Sequence, residues 1–415
     1  MDTALSHVKL NAPETAQNVY PLYEELRAAG GILWSQQHKA WLISSYDTVK
    51  KLLLSTETSV EKLSPFVNQT SGALKTTVAE INEVMAHWLP FIDPPEHTRL
   101  RMILQKSFNP RVLQAHEPMM RNVIRSVIDE LGARDEIDFL DEFAFQVPAL
   151  IITELYGMPR SSVGLIKIWA AGLGEFVLGS NKADRYETSA VMIKEMKSYF
   201  SGLVATRSAE LAQPGAQPTE SLLDKLLLAR SEPDGLTDDE VISTLILILF
   251  AAPETTASML MNGMLCLILH KSKLRELATD RTLIGPAIDE LIRFDGPVPT
   301  VVRVARKDLE LGDHMIRSGD RIFLLLKSAN RDPQQFPNAD ALDFSRGRSQ
   351  HVGFGMGIHL CLGAPLARLE ARIALEELLE RYADFDLPEQ EIIWRHELLA
   401  HSPRSLRVSL RPKCS

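Results

Sequence analysis

Residues 351–368, with the sequence HVGFGMGIHLCLGAPLAR, constrain the fold more than any other stretch of this chain. Gly355 and Gly357 remove side-chain bulk just before Cys361, so the backbone there can turn sharply or lie against something flat. After the cysteine, Pro365 suits the first turn of a helix, and the apolar residues that follow have helical spacing. The pattern therefore predicts that the Cys361 sulfur lies near a helix N-terminus, where the helix dipole favours a thiolate.

Cys361 has two interpretations. A lone cysteine is most often a small buried apolar residue. A thiolate presented by a glycine-rich loop is also a known axial ligand of haem iron. The pattern F-G-x-G-x-H-x-C-x-G over residues 354–363 resembles the haem-ligand loop of cytochrome P450s at every position which that loop requires. By that resemblance Cys361 ligates the iron, His359 contacts a haem propionate, and Phe354 and Gly355 belong to the cofactor site.

Composition and charge limit the class of protein. The chain has 415 residues, 45% hydrophobic and 24% charged, an ordinary globular balance, and its net charge of -9 argues against a nucleic-acid partner. Its three cysteines, Cys266, Cys361 and Cys414, are scattered, so no disulfide framework is predicted and a reducing cytoplasm fits. We expect no signal peptide or membrane anchor, because no basic N-terminal region precedes an apolar run and the apolar run over 245–252 is short.

A long apolar helix is the second constraint. A capping box, T-x-x-E, stands at 237–240, and helical spacing continues to about residue 270. Within it, residues 251–256 read AAPETT, and Pro253 must leave one helical carbonyl without its donor. The segment could be a kinked helix whose threonines bond back to the preceding turn. It also resembles the oxygen-activation motif of cytochrome P450s, with Ala252 where glycine is usual, which implies that Glu254 and Thr255 deliver protons to bound dioxygen.

Basic residues near position 100 form a further candidate site. His97 and Arg101 are four apart, hence on one helical face, and could be either a solvated basic surface or a cationic clamp on carboxylates. The resemblance assigns both of them, together with Arg303, to the haem propionates. Three neighbouring basic residues could remain exposed and dock an acidic electron donor, or could simply be solvated: Arg99, Lys106 and Arg111.

Glu290 and Arg293 are three residues apart, which places an acid and an arginine on one helical face. They resemble the Glu-x-x-Arg pair of cytochrome P450s, and Arg346 matches the arginine that completes that network. The implied role is structural, fixing the segment that carries the cysteine. Removing one partner of such a pair, if it is buried, would cost roughly 3–5 kcal/mol.

The periodicity predicts a mainly α protein with a minor β region. Helices are expected near 21–29, 46–54, 117–131, 139–156, 161–177, 183–211 and 237–270, with a hairpin over 32–44, strands over 304–311 and 320–326, and a terminal hairpin over 394–410. Residues 55–89 lack a clear period and predict an irregular binding loop. The resemblance implies the cytochrome P450 fold, one haem domain over residues 1–415, with haem between the long central helix and the cysteine-bearing loop and helix. The resemblance also implies that residues 166–191 form a mobile lid over the substrate pocket.

The function implied by the resemblance is a soluble, cytoplasmic, monomeric monooxygenase that holds haem b (iron protoporphyrin IX) and hydroxylates or epoxidises a hydrophobic small molecule. Because no redox domain fits in this length, electrons should come from a separate ferredoxin and its NAD(P)H-dependent reductase. Two alternatives stay open, a peroxide-driven peroxygenase and a haem-binding or sensing protein without turnover; the Glu254–Thr255 pair argues against both. The candidate pocket residues are mostly apolar: Phe66, Val67, Leu89, Leu173, Phe176, Ile248, Ala251, Val298 and Val301.

Overall fold

The computed structural model describes residues 4–61, 63, 67–68, 70–180, 182–346, 350–395 and 397–413. Its α-helices are α1 Pro13–Gln17, α2 Tyr20–Ala28, α3 Tyr46–Leu54, α4 Gly72–Met85, α5 Glu96–Leu104, α6 Pro110–Ala115, α7 Glu117–Leu131, α8 Gln146–Tyr156, α9 Val163–Val177, α10 Arg185–Leu211, α11 Leu222–Leu228, α12 Asp238–Leu269, α13 Lys271–Thr279, α14 Ile284–Asp295, α15 Leu326–Ala329 and α16 Ala364–Arg381. Its strands are β1 Ile32–Ser35, β2 Ala40–Ile43, β3 Thr58–Ser59, β4 Glu136–Asp138, β5 Thr300–Ala305, β6 Leu309–Leu311, β7 His314–Ile316, β8 Arg321–Leu325, β9 Tyr382–Asp386 and β10 Arg407–Pro412. The predicted mainly helical architecture is confirmed.

The chain divides into two compact units. Unit 1 contains residues 1–59, 117–147 and 255–415, and unit 2 contains residues 60–116 and 148–254. The division falls inside α12, between Glu254 and Thr255, so this helix contributes to both units.

Unit 1 is built on a five-stranded sheet with the order β1-β2-β8-β5-β3. Strands β1 and β2 form the predicted hairpin, and β2 runs parallel to β8, while β5 lies antiparallel to β8 with Val301 opposite Leu324. Tyr46, Leu324 and Val352 belong to one buried cluster, against which Val298 and Val301 pack. The sheet therefore fixes β5, which carries two candidate site residues, Val301 and Arg303.

The C-terminal segment does not form the predicted hairpin over 394–410. Trp394 and Pro403 do pair across a bend near His401, but β10 leaves that bend and joins a second sheet of order β4-β10-β9. Val408 lies opposite Ile137 in β4, and Leu410 lies opposite Phe385 in β9. All four of these side chains are buried, so burial in the core rather than the local turn decides how β10 pairs.

Unit 2 is helical, and it contains a helix where the sequence predicts a loop. Residues 72–85 of the segment 55–89 form α4, and Val78, Ile81 and Met85 are buried along one face of it. Their spacing is helical, but Ser, Thr and Gly in the neighbouring sequence hide the period. The irregular-loop prediction is therefore wrong for residues 72–85.

Helix α12 begins as predicted. The Thr237 amide donates to the Glu240 carboxylate at 2.9 Å, and the Glu240 amide donates to the Thr237 hydroxyl at 3.2 Å, which completes a capping box. By length and composition α12 could cross a membrane, yet 72% of its most apolar 18-residue window is buried within the protein. Burial of this kind is the property of a core helix.

Candidate functional site

Cys361 lies in a closed loop directly before α16. Its amide donates to the Phe354 carbonyl at 2.9 Å, and its own carbonyl accepts from Ala364, the first residue of α16, at 3.3 Å. The thiol side chain is exposed. The sequence prediction of a cysteine at a helix N-terminus is thus reproduced in the geometry, and the helix dipole stabilises a thiolate there.

Three glycines in this loop meet specific requirements. Gly355 and Gly357 have φ of +73° and +70°, in the left-handed region that side chains disfavour. A Cβ on Gly357 would lie 3.1 Å from the Leu53 carbonyl oxygen, and one on Gly353 would lie 2.6 Å from Ile292 Cγ2. The loop therefore packs closely on α3 and α14, and side chains at these positions would displace it.

The loop is also held by polar contacts that the sequence analysis missed. Arg368 Nε donates to Asp289 Oδ1 at 2.7 Å, and His351 Nε2 lies 3.3 Å from the same oxygen. Burial opposes ionisation of Asp289, but the hydrogen bonds from His351 and Arg368 outweigh it and lower the pKa of this carboxyl. The Arg368 guanidinium lies 4.4 Å from the Phe354 ring centroid, and the Val352 amide donates to Asn330 Oδ1 at 2.7 Å. The sequence did hold one sign of these contacts, because His351 and Arg368 flank the cysteine pattern.

Glu290, Arg293 and Arg346 come together in unit 1. Arg293 donates twice to Glu290, at 2.7 and 2.8 Å, and Arg346 Nε donates to Glu290 Oε1 at 3.1 Å. Arg293 also donates to the carbonyls of Asn330, Ala339 and Ala341. Glu290 and Arg293 are 2% and 1% exposed, so each charge depends on the others for compensation. Since Asn330 binds the amide of Val352, the network connects directly to the cysteine loop.

The surroundings of Cys361 fit a haem. Its neighbours Ile358 and Leu360 are exposed apolar side chains, 49% and 42% exposed, and His359 between them is half-buried. Apolar surface beside an exposed thiol suits a flat apolar macrocycle, and His359 can donate to an anionic edge. Within the described residues no three His, Cys, Asp or Glu side chains are grouped to hold a metal ion. A single thiolate suits a metal whose other ligands come from a porphyrin.

In α12, residues 253–256 differ in their exposure. Pro253 and Thr256 are buried, whereas Glu254 is half-buried and Thr255 is exposed. A charged carboxylate buried without compensation would be costly, and Glu254 avoids that cost by remaining partly accessible. Thr255 is exposed in the middle of a mostly buried helix.

In unit 2, His97 lies near the start of α5 and is 1% exposed. Burial lowers the pKa of its imidazole, and the nearby Arg101 guanidinium lowers it further. His97 is therefore neutral at pH 7, and the expected cationic clamp must rely on Arg101 for its charge, with His97 as a neutral hydrogen-bonding group.

The arrangement can be compared with known proteins. The cytochrome P450 family model matches residues 182–405. The biotin biosynthesis cytochrome P450 of Bacillus subtilis (strain 168) is 30% identical over 388 residues, which are 93% of this chain and 94% of the relative. This chain belongs to the cytochrome P450 family. The P450 monooxygenase PikC of Streptomyces venezuelae is likewise 30% identical, over 95% of this chain and 92% of its own length.

Solved structures agree with this assignment. The P450 PksS of the Bacillus subtilis 168 bacillaene polyketide synthase has a TM-score of 0.86 at 30% identity, covering 97% of this chain and 100% of its own. P450BioI, solved with an acyl carrier protein that bears hexadec-9Z-enoic acid, has the same TM-score at 29% identity, covering 96% and 100%. The predicted P450 fold is confirmed, and the protein is a haem-dependent P450 monooxygenase.

The basic surface expected near residue 100 is largely neutralised in this P450. Arg99 donates to Glu96 at 2.9 Å and also pairs with Glu240, while Lys106 pairs with Glu232. Arg99 and Lys106 thus have acidic partners in α5, in α12 and in the segment before α12, while Lys106 stays exposed. Docking of an acidic electron donor at this surface, one of the two alternatives that the sequence leaves open, stays a prediction. Arg111 is exposed.

The remaining candidates occupy varied environments. Arg303 on β5 is 7% exposed and donates to the Val302 carbonyl at 3.0 Å. Half-buried pocket candidates are Val67, Phe176, Ala251, Val298 and Val301, and buried ones are Leu89, Leu173 and Ile248. Phe66 lies outside the described residues.

Proposed function

We propose that this P450 uses O2 and electrons from a ferredoxin and its NAD(P)H-dependent reductase to insert one oxygen atom into a hydrophobic small molecule, by hydroxylation or epoxidation. The observation that carries the proposal is the exposed Cys361 thiol in a closed loop at the start of α16. Bound haem supplies the iron that activates dioxygen, with thiolate ligation favouring O–O cleavage. We further propose a monomeric, cytoplasmic protein in which residues 1–415 act as one haem domain.

The proposal gives each group of candidate residues a role, and the mostly apolar pocket candidates, Val298 among them, would contact the substrate. Cys361 would hold the haem iron through its sulfur, and Phe354 and Gly355 belong to the loop that carries it. His359 would bind a haem propionate, and so would His97 and Arg101, which are four residues apart, and Arg303 on β5. Glu290, Arg293 and Arg346 keep the cysteine loop in place. Glu254 and Thr255 would hold and move protons: the exposed Thr255 would donate a proton, and the half-buried Glu254 would resupply it.

The ligand assignment is tested by spectroscopy of the reduced protein with carbon monoxide. A red-shifted band, typical of thiolate-ligated haem, is expected for the wild type and lost in Cys361→Ser. Cys266→Ser is the matched control, because Cys266 is a buried free thiol on α12. A band that survives Cys361→Ser, or that disappears in Cys266→Ser alone, would contradict the assignment.

The proton-delivery role predicts a change in coupling. Thr255→Ala should lower product formed per NAD(P)H by about tenfold or more and raise peroxide release, since a positioned proton donor is lost. Thr256→Val is the control, because Thr256 adjoins Thr255 but is 3% exposed. Product, NAD(P)H and peroxide are measured together; coupling that stays unchanged in Thr255→Ala would remove this role.

The electron source and substrate class need separate assays. Turnover with ferredoxin, reductase and NAD(P)H supports the proposal, whereas turnover with peroxide alone supports a peroxygenase. Relatives carry names as different as vitamin D(3) 25-hydroxylase of Pseudonocardia autotrophica and PikC of Streptomyces venezuelae. Terpenoids, aromatics, steroids and fatty acids should therefore be screened for a high-spin shift of the Soret band. If only polar compounds shifted the Soret band, that result would contradict the proposed hydrophobic substrate class.

A further inference from the structure

Three hydrogen bonds in unit 1 form a closed ring around Val298. The His401 amide donates to the Pro297 carbonyl at 2.9 Å, and the Lys327 amide donates to the Pro299 carbonyl at 3.3 Å. The ring is closed by the side chains, since Lys327 Nζ lies 2.5 Å from His401 Nδ1. We call these three contacts the Val298 clamp. The carbonyls of the two prolines on either side of Val298 are therefore held by the same pair of residues.

The local sequence adds to this restriction. Pro297 and Pro299 each have φ locked near −65°, and Val298 is confined to extended conformations because it precedes a proline. With the neighbouring carbonyls held as well, little backbone freedom remains at Val298. The direction of its side chain is then set by where Lys327 and His401 sit.

The side-chain contact of the clamp has a defined chemistry. An ammonium group only donates, so His401 Nδ1 must accept from Lys327, and the proton on Nε2 is then donated to the Ala16 carbonyl at 2.9 Å. Burial and the Lys327 charge lower the pKa of His401 to about 4, so the imidazole is neutral. Its ring stacks on Trp394 with centroids 4.4 Å apart, and Lys327 forms an ion pair with Asp295.

The clamp is buried, and it acts on a surface that the proposed function places at the substrate. Lys327 and His401 are 2% and 5% exposed. Val298 is half-buried and packs with Val301 on the core cluster that contains Tyr46 and Leu324. A shift of the clamp therefore moves Val298 relative to a rigid core.

We propose that Lys327 and His401 are positioning residues that orient Val298 toward the substrate and thereby determine which carbon of the substrate is oxidised. This inference rests on the proposed function, because Val298 is a pocket residue there. It assigns no chemistry to Lys327 or His401 themselves. Their effect is on selectivity and not on cofactor binding.

Two variants of His401 separate the contacts of the clamp. In His401→Asn, the amide oxygen takes the place of Nδ1 and still accepts from Lys327, while the contact with Ala16 is lost. In His401→Gln, the amide nitrogen can still reach Ala16, but the acceptor for Lys327 is lost. Lys327→Met is a second way to break the clamp, and Tyr20 then still donates to Asp295 at 2.6 Å. His38→Gln is the matched control, because His38 accepts from Leu10 at 3.0 Å and takes no part in the clamp.

The readouts are the ratio of hydroxylation positions on dodecanoic acid, used as the probe, and amide hydrogen exchange of the haem-loaded protein. The ratio should change about fivefold in His401→Gln and Lys327→Met, and return to the wild-type value in His401→Asn and His38→Gln. Exchange should accelerate over residues 298–302 in His401→Gln and Lys327→Met, and should not change over α16. If His401→Asn changed the ratio of hydroxylation positions as much as His401→Gln does, the proposal would be overturned.

The outcome also separates this inference from the proposed function. If the wild type does not oxidise dodecanoic acid, that result counts against a fatty-acid substrate. Hydrogen exchange then shows whether the Val298 clamp restricts the backbone. Faster exchange confined to residues 298–302 supports the clamp, and exchange that is unchanged there, or faster throughout unit 1, overturns it.

Discussion

At the scale of single residues, Glu370 is the side chain that most needs explanation. It lies on α16 nine positions after Cys361 and is fully buried, and among the described residues none is within hydrogen-bonding distance of either carboxylate oxygen. Burial raises its pKa from 4.5 to about 8. Glu370 is therefore mostly a neutral acid at pH 7, and folding must protonate a group that is ionised in the unfolded chain.

Replacing Glu370 by glutamine should stabilise the protein at pH 7. The pKa difference costs the wild type about 3 kcal/mol at that pH, at 1.36 kcal/mol for each pH unit above 4.5, and a neutral amide of the same size avoids most of it. Denaturant unfolding of the haem-loaded protein measures the change. The control is Glu380→Gln, an exposed position of the same helix, which should leave stability unchanged. A less stable Glu370→Gln variant would show that Glu370 is ionised and compensated.

At the scale of elements, α16 is fixed from two sides. On one side Arg121 of α7 donates to Glu376 and Glu377 at 2.7 and 2.6 Å. On another, Arg368 reaches Asp289 of α14 at 2.7 Å. The α14 helix in turn carries Glu290 and Arg293, whose contacts run to the loop before the cysteine. The position of the Cys361 loop thus depends on helices that are distant from it in sequence.

We expect Glu290→Ala and Arg293→Ala to abolish haem incorporation. Each leaves an uncompensated buried charge, at a cost of roughly 3–5 kcal/mol. Arg293→Ala also removes the hydrogen bonds to the carbonyls of Asn330, Ala339 and Ala341. The haem-to-protein absorbance ratio after purification measures the loss. Arg317→Ala is the control, because Arg317 and Asp308 form an exposed pair at 2.7 Å that should contribute little. Soluble variants at Glu290 or Arg293 that retain haem would show that the network is dispensable.

The elements that the sequence predicts well are those specified by local patterns. Tyr46–Leu54, Glu117–Leu131 and the hairpin β1–β2 have the predicted bounds within a residue or two, because periodicity and turn residues specify them. The position of Cys361 before a helix and the contact between Glu290 and Arg293 could be predicted for the same reason, since each belongs to a short motif. Helix α4 was missed because its apolar stripe lies among Ser, Thr and Gly. The pairing of β10 and the Asp289–Arg368 contact depend on distant residues, which periodicity cannot reveal.

At the scale of the whole molecule, two buried groups give stability opposite dependences on pH. The pKa of His401 is depressed from 6.5 to about 4, by burial first and then by Lys327, so its contribution is complete above pH 6.5 and is lost as pH falls toward 4. The pKa of Glu370 is raised from 4.5 to about 8, so its contribution is complete below pH 4.5 and is lost as pH rises toward 8. Between pH 4.5 and 6.5, His401 makes the free energy of unfolding rise with pH while Glu370 makes it fall.

The wild type should therefore be more stable at pH 6 than at pH 8. From pH 6.5 to 8 His401 is neutral in both the folded and the unfolded states and has no further effect. Glu370 alone then lowers the free energy of unfolding, by about 2 kcal/mol over 1.5 pH units. Urea midpoints of the haem-loaded protein at half-unit intervals measure this. In Glu370→Gln the alkaline decline should disappear, while the acid decline toward pH 4 should persist. A wild-type stability that rises from pH 6 to pH 8 would contradict the assignment of Glu370.

The order of pairing in the β4-β10-β9 sheet bears on how the protein is made in the cell. Its middle strand, Arg407–Pro412, comes from the far end of the sequence, whereas its outer strand Glu136–Asp138 is translated hundreds of residues earlier. A ribosome-bound chain can therefore assemble helices of unit 2 early, but it cannot complete unit 1 until Arg407–Pro412 has been translated. Haem that arrives before Arg407–Pro412 is translated would meet an incomplete unit 1, so we expect stable loading only after this strand has paired.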